Sequence, residues 1–210
     1  MQSPIAFYFD FFSPYGYFAS TQIEALAARH GRSVDWRPML LGVTVMQIMG
    51  MKPLMETPLK SDYIRHDKVR MAQLLGVPFA DHGLSGVQSV NALRAFLWLK
   101  AQDPVQAVAF AHAMYRRLWV EGLDITPAEV SAHEVAVLGG DADALLVAIN
   151  SAELKQALRA EVQASIDLGV FGAPYFIVDG EPFWGVDRLW MLEHWLTHRS
   201  WAASADPVQL

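Results

Sequence analysis

Ser13 stands where a side chain can do chemistry. A strongly apolar run, Ile5-Ala6-Phe7-Tyr8-Phe9, precedes it, Pro14 follows it, and an amphipathic segment begins beyond. This pattern makes Ser13 a helix N-cap and Pro14 the first helical residue. Backbone N–H groups and the positive end of a helix dipole converge there, which suits an anion such as a thiolate. Two roles stay open: a cap alone, or a cap that also holds an anion.

Other residues offer complementary chemistry. Ala173-Pro174, preceded by Gly172, leads into a second apolar run, Tyr175-Phe176-Ile177-Val178. Pro174 is a candidate for a cis peptide bond that would present the Ala173 backbone to an extended ligand, as in strand addition. An ordinary trans turn proline is the alternative. Asp187, after Trp184-Gly185-Val186, either caps the last helix or binds a ligand ammonium. Trp184 is a candidate wall for a ligand groove. Lys60 and Arg65 are candidates for a ligand carboxylate, with solvated cations as the alternative. Asn91 lies in an apolar helix and needs partners if buried. Trp36, Trp98, Trp119, Trp190 and Trp195 are assigned to the core. His194 and His198 lie at i, i+4 without a third ligand, and His133-Glu134 lacks the second histidine of H-E-x-x-H. No metal site is expected. There is no P-loop and no G-x-G-x-x-G.

The elements that must position these residues follow from periodicity. Ile5 to Phe9 predicts a strand buried on both faces. A helix is expected from Pro14 to about His30, with Gly31 as its C′ residue. Ser33 to Arg37 alternates and predicts a second strand that Pro38 ends. Strand, helix and strand make a βαβ unit with parallel strands. From Met39 to Leu168 helical periods dominate. Asp62 is expected to cap a helix ending at Leu75, with Gly76 as its stop. Ser89 to Ala101 reads as a helix. Asp103-Pro104 and Thr126-Pro127 mark two more starts, and further helices begin near Asp141 and Ser151. Asp179-Gly180 signals a hairpin turn, with Phe183-Trp184 beginning the partner strand. The final helix starts at Asp187 or Arg188. The order is β-α-β, helices, then β-β-α. This is an α/β thioredoxin topology, 1–38 and 169–200, carrying an inserted all-helical domain, 39–168. Residues 201–210 read as a loose tail. In this topology Ser13 faces Ala173-Pro174.

Composition narrows the function classes. The chain of 210 residues is 53% hydrophobic and 18% charged, enough for a large core. Its net charge is −6, with no basic run, which argues against a nucleic-acid partner. The absence of cysteine excludes disulfides, thiolate metal sites and a redox C-x-x-C. No apolar run approaches the ~20 residues of a membrane span, and the N-terminal residues lack a signal-peptide pattern. A cytoplasmic protein with no membrane partner is expected.

Phe9-Asp10-Phe11-Phe12-Ser13-Pro14, Pro58-Leu59-Lys60-Ser61-Asp62-Tyr63, Leu75-Gly76-Val77-Pro78-Phe79, Gly169-Val170-Phe171-Gly172-Ala173-Pro174 and Phe183-Trp184-Gly185-Val186-Asp187-Arg188-Leu189 occur in this order. Together they resemble the 2-hydroxychromene-2-carboxylate isomerases, relatives of kappa-class glutathione transferases and, more distantly, of DsbA oxidoreductases. The resemblance spans nearly the whole chain. It implies a homodimer that uses glutathione as cofactor and takes a small-molecule substrate. By resemblance, Ser13 is the serine whose hydroxyl bonds the glutathione sulfur, and Ala173-Pro174 pairs with the tripeptide backbone. Trp184, Gly185, Val186 and Asp187 hold its γ-glutamyl end. The family's reaction converts 2-hydroxychromene-2-carboxylate into trans-o-hydroxybenzylidenepyruvate.

The chain also departs from the family pattern. Val43-Thr44-Val45-Met46-Gln47-Ile48-Met49-Gly50-Met51 replaces polar and basic residues, Gly50-Met51 stands where relatives often have Gly-Asn, and an aromatic is missing near Leu84-Ser85. A methionine-rich lining suits a larger or more apolar substrate. Three functions follow: a glutathione-dependent isomerase, a kappa-like transferase, or a non-enzymatic thioredoxin-like binding protein.

Overall fold

The computed structural model describes residues 3–81, 83 and 86–202. Leu84-Ser85 and residues 203–210 of the expected tail lie outside them. Among the described residues, four strands form one mixed sheet in the order β2-β1-β3-β4. They are β1 (Ile5–Phe9), β2 (Val34–Pro38), β3 (Tyr175–Val178) and β4 (Glu181–Trp184). β1 runs parallel to β2 and antiparallel to β3, with Phe7 opposite both Trp36 and Phe176. Phe7 and Phe9 lie on one face, against Trp36, Phe96 and Tyr115. Tyr8 and Tyr175 are buried in a separate cluster with Met39 and Val170. Both faces of β1 are therefore covered, as its unbroken apolar run predicts.

The helices are α1 (Pro14–Ser20), α2 (Ile23–Arg29), α3 (Lys60–Leu75), α4 (Val90–Lys100), α5 (Pro104–Trp119), α6 (Ala128–Val137), α7 (Ala142–Ala148), α8 (Ala152–Asp167) and α9 (Leu189–His198). A wide π-type coil occupies Gly42–Ile48. Asp103, Asp141 and Ser151 cap their helices through side-chain oxygens. Gly76 ends α3 in the left-handed conformation, φ 64°. The fold is thus α/β and thioredoxin-like, with a predominantly helical segment between β2 and β3. Among the described residues, no helix is long and apolar enough to cross a membrane.

Several local expectations differ from the fold. The helix expected from Pro14 to His30 is two helices. The Ser20 and Thr21 hydroxyls donate to the Tyr17 and Phe18 carbonyls at 2.7 and 2.8 Å, at the point where the helix breaks. β2 does end at Pro38, as expected, and Pro38 itself pairs with Phe9 on this edge strand. Proline is tolerated at an edge because its missing N–H breaks no ladder. α3 starts at Lys60, not at an Asp62 cap, and Leu59 before it takes φ 69°. Pro127 occupies the N-cap position of α6, while the Thr126 hydroxyl accepts the Gln88 N–H. Phe183-Trp184 ends β4 instead of beginning it. Trp190 is 42% exposed and is not core. Trp201, expected in a loose tail, stacks on Trp195 and donates to Glu181 at 3.0 Å.

Candidate active site

The loop between β1 and α1 carries the site. The Ser13 backbone is extended, and its Oγ accepts the Gly16 N–H at 3.0 Å, completing the N-cap. The same hydroxyl donates to the Ala173 carbonyl at 2.8 Å. The Ala173–Pro174 bond is cis. Ser13 is only 4% exposed, so both bonds lie largely out of water. Gly16 is required beneath it: a Cβ there would fall 2.7 Å from the Tyr115 hydroxyl and 3.2 Å from the Ser13 Cβ.

The next residues continue the surface. Gly185 N–H donates to the Pro174 carbonyl at 3.0 Å, joining the turn after β4 to the cis-proline loop. Trp184 is 56% exposed and meets Phe171 edge-on at 4.8 Å. Its indole lies against Gly172, where a Cβ would sit 2.5 Å from Nε1. Gly185 takes φ +104°, and a Cβ there would fall 2.4 Å from an Asp187 carboxylate oxygen. Asp187 is exposed and pairs with Arg188 at 2.9 Å. It lies in a 3-10 turn, 186–188, and makes no side-chain cap. Val186 is buried, and its carbonyl accepts the Leu189 N–H. The turn 186–188 packs on α1. Ser13, Ala173, Pro174, Trp184, Gly185, Val186 and Asp187 thus form one continuous region.

Other candidates fall elsewhere. Asn91 donates to the Thr126 carbonyl at 3.0 Å and serves the packing of two segments. Lys60 and Arg65 are exposed on α3. His194 and His198 rings lie 4.4 Å apart, and no cluster of three metal-ligating side chains occurs among the described residues.

Three contributors, Tyr115, Trp119 and Asp10, are not among the sequence's candidate site residues. Tyr115 donates to the Asp10 carbonyl at 3.2 Å, and Trp119 Nε1 donates to the Phe11 carbonyl at 2.8 Å. Two residues one turn apart on α5 therefore hold consecutive carbonyls of the serine loop. The Trp119 indole does more than fill the core. Asp10 is 2% exposed. Its carboxylate accepts the Phe12 N–H at 3.1 Å and the Leu41 N–H at 2.9 Å. Burial raises its pKa above the ordinary aspartate value, against the opposing pull of the Ser89 hydroxyl and those two N–H groups. A charged residue directly after an apolar strand was the available sequence signal. For Tyr115 and Trp119 the signal was their four-residue spacing.

Known proteins resemble this chain in sequence and in fold. A family model described as a DSBA-like thioredoxin domain matches residues 4–197. The 2-hydroxychromene-2-carboxylate isomerase of Sphingobium xenophagum is 33% identical over 93% of this chain and 99% of its own. A solved 2-hydroxychromene-2-carboxylate isomerase superposes with a TM-score of 0.82 at 28% identity, over 92% of this chain and 94% of its own. Glutathione S-transferase kappa 2 of Caenorhabditis elegans is 26% identical over 88% of both chains. The chain belongs to the DsbA-like thioredoxin family, and within it to the enzyme group of the 2-hydroxychromene-2-carboxylate isomerases.

Proposed function

We propose that the chain is a glutathione-dependent isomerase of 2-hydroxychromene-2-carboxylate or a related aromatic-degradation intermediate. The observation that carries this reading is the Ser13 hydroxyl, bonded at once to a helix start and to the carbonyl of a cis peptide. The surface fits the tripeptide. A cis-proline bend at Ala173, an exposed aromatic wall at Trp184 and an exposed carboxylate at Asp187 follow one another. Asp187 would face the γ-glutamyl ammonium, sharing its charge with Arg188.

When bound, glutathione supplies a thiolate that adds reversibly to a conjugated carbon, so that a double bond becomes rotatable, and is regenerated unchanged. The chain's own part is to hold that charge. Among the described residues no side-chain base bonds Ser13, so the serine is a poor nucleophile itself. Its hydroxyl can turn from the Ala173 carbonyl to a sulfur anion, and the N-terminus of α1 favours the ionised form. The exposed Met46, Met49 and Met51 supply an apolar side for the substrate.

The kappa-class relatives support a second reading, in which the same thiolate is conjugated to an electrophile and released. Spectroscopic equilibration of the chromene with its open-chain isomer tests the first reading. Conjugation of a generic electrophile without isomerisation would favour the second, and no glutathione binding by calorimetry at millimolar concentration would overturn both. We further assign residues 1–38 and 169–200 to the thioredoxin-like part and 39–168 to the inserted part. The working protein is a cytoplasmic homodimer.

A further inference from the structure

Asp10 is a buried titratable group that the proposed chemistry leaves unused. Its carboxylate receives donors from separate parts of the chain. Phe12 N–H belongs to the loop that presents Ser13, at 3.1 Å. Leu41 N–H opens the π-type coil 42–48, at 2.9 Å. The hydroxyl of Ser89, at the start of α4, is the third. The Asp10 carbonyl in turn accepts the Ser13 N–H at 3.0 Å and the Tyr115 hydroxyl at 3.2 Å. The residue is fixed on every side.

We propose that Asp10 is a positioning residue that locks the serine loop to the methionine-bearing coil, so that the thiolate side and the substrate side of the site keep one fixed spacing. This rests on the glutathione reading above for what the two sides bind. The coil needs such an anchor. It has no side chain of its own capping its start, and the Asp10 carboxylate serves as that cap from a distant strand end. Charge-assisted bonds out of water are the stronger kind, and one buried acceptor serving both segments couples them.

Two variants separate the halves of this lock. Asp10→Asn keeps the size but sets an amide N–H against a backbone N–H. Leu41→Pro removes the donor on the coil side, along with part of a side chain packed on the Tyr8–Met39 cluster, at a backbone angle, φ −57°, that proline adopts. Hydrogen exchange is measured on both without ligand, together with glutathione affinity and substrate KM. Asp10→Asn is expected to speed exchange about tenfold in residues 11–18 and 41–49 together, with β1 and β3 unchanged. Leu41→Pro is expected to do so only in 41–49 and to raise substrate KM about fivefold, with glutathione affinity within about twofold of wild type. Unchanged exchange in 41–49 for either variant, or equal acceleration in the sheet, would overturn the proposal. If Asp10→Asn does not fold, Leu41→Pro alone decides by the same criterion. Failure of wild type to bind glutathione would overturn the proposed function, while the exchange pattern would still decide the role of Asp10.

Discussion

The Ser13 hydroxyl donates to the Ala173 carbonyl across 160 residues of sequence, at 2.8 Å. A hydroxyl has one proton to donate. Serving a sulfur anion therefore means releasing that carbonyl, which becomes available to an N–H of the incoming tripeptide. Ser13→Ala is expected to lower isomerase turnover about 100-fold or more by loss of an oriented donor. The lost cap costs about 1 kcal/mol, or about 2–4 °C in Tm at this chain length. Wild-type turnover in a folded Ser13→Ala variant would remove the serine from the mechanism.

Gly172 offers a separate test of the aromatic wall. A methyl group there would fall 2.5 Å from the Trp184 indole nitrogen. The indole is exposed and can swing away, so stability should change by less than about 1 kcal/mol. Gly172→Ala should instead weaken glutathione about tenfold by displacing the ring. Calorimetry with tryptophan fluorescence measures both. Unaltered affinity would show that Trp184 is no part of the ligand surface.

Asp187 is expected to recognise an ammonium. Asp187→Ala should raise the glutathione Kd about fivefold, a modest effect because the carboxylate is exposed and screened. A glutathione analogue lacking the γ-glutamyl amino group should bind wild type and variant equally. Preference for glutathione that survives the substitution would place the ammonium elsewhere.

Acid should loosen α3 early. Burial alone would raise Asp67, but the Tyr15 hydroxyl at 2.5 Å and Arg70 outweigh it and hold the carboxyl below its ordinary range. Burial of Asp81 is likewise outweighed, by Lys68 at 2.7 Å. Stability from a depressed carboxyl is complete above the unfolded aspartate value, about 3.9, and is lost as pH falls through the lower folded value. Asp10 has the opposite sign, since its raised pKa adds stability as pH falls. The measurement is therefore a difference: between pH 5.5 and 3, Tm should fall more in wild type than in Asp67→Asn. Equal falls would mean that the Tyr15–Asp67 contact contributes nothing.

Much of this fold is legible in the chain because its signals are local. Ser13-Pro14, Leu75-Gly76, Asp103-Pro104 and Asp179-Gly180 each state a boundary in two residues. The end at Gly76 and the left-handed pair Asp179-Gly180, φ 52° and 85°, follow directly. The resemblance motifs around Ser13, Ala173-Pro174 and Trp184 mark residues that the fold gathers into one region. What stayed hidden depends on which partners side chains find, one turn back or far along the chain. Nothing near Ser20-Thr21 announces that two hydroxyls will bond back where the helix breaks. Trp119 reads as core because its ring is apolar, and only the placement of α5 aims its N–H at Phe11. Asp10 reads as an interruption because its donors come from Leu41 and Ser89, far along the chain.

A serine at this helix start also has a consequence for durability. The chain contains no cysteine, so no thiol is covalently part of the polypeptide. On the proposed reading, the reacting thiol belongs to a small molecule that diffuses in and out. Oxidation to a disulfide or a sulfinic acid would then spoil one molecule of a pool, and exchange alone would restore the enzyme. A relative that keeps cysteine at this position would need a reductant to recover; this chain would need only fresh glutathione.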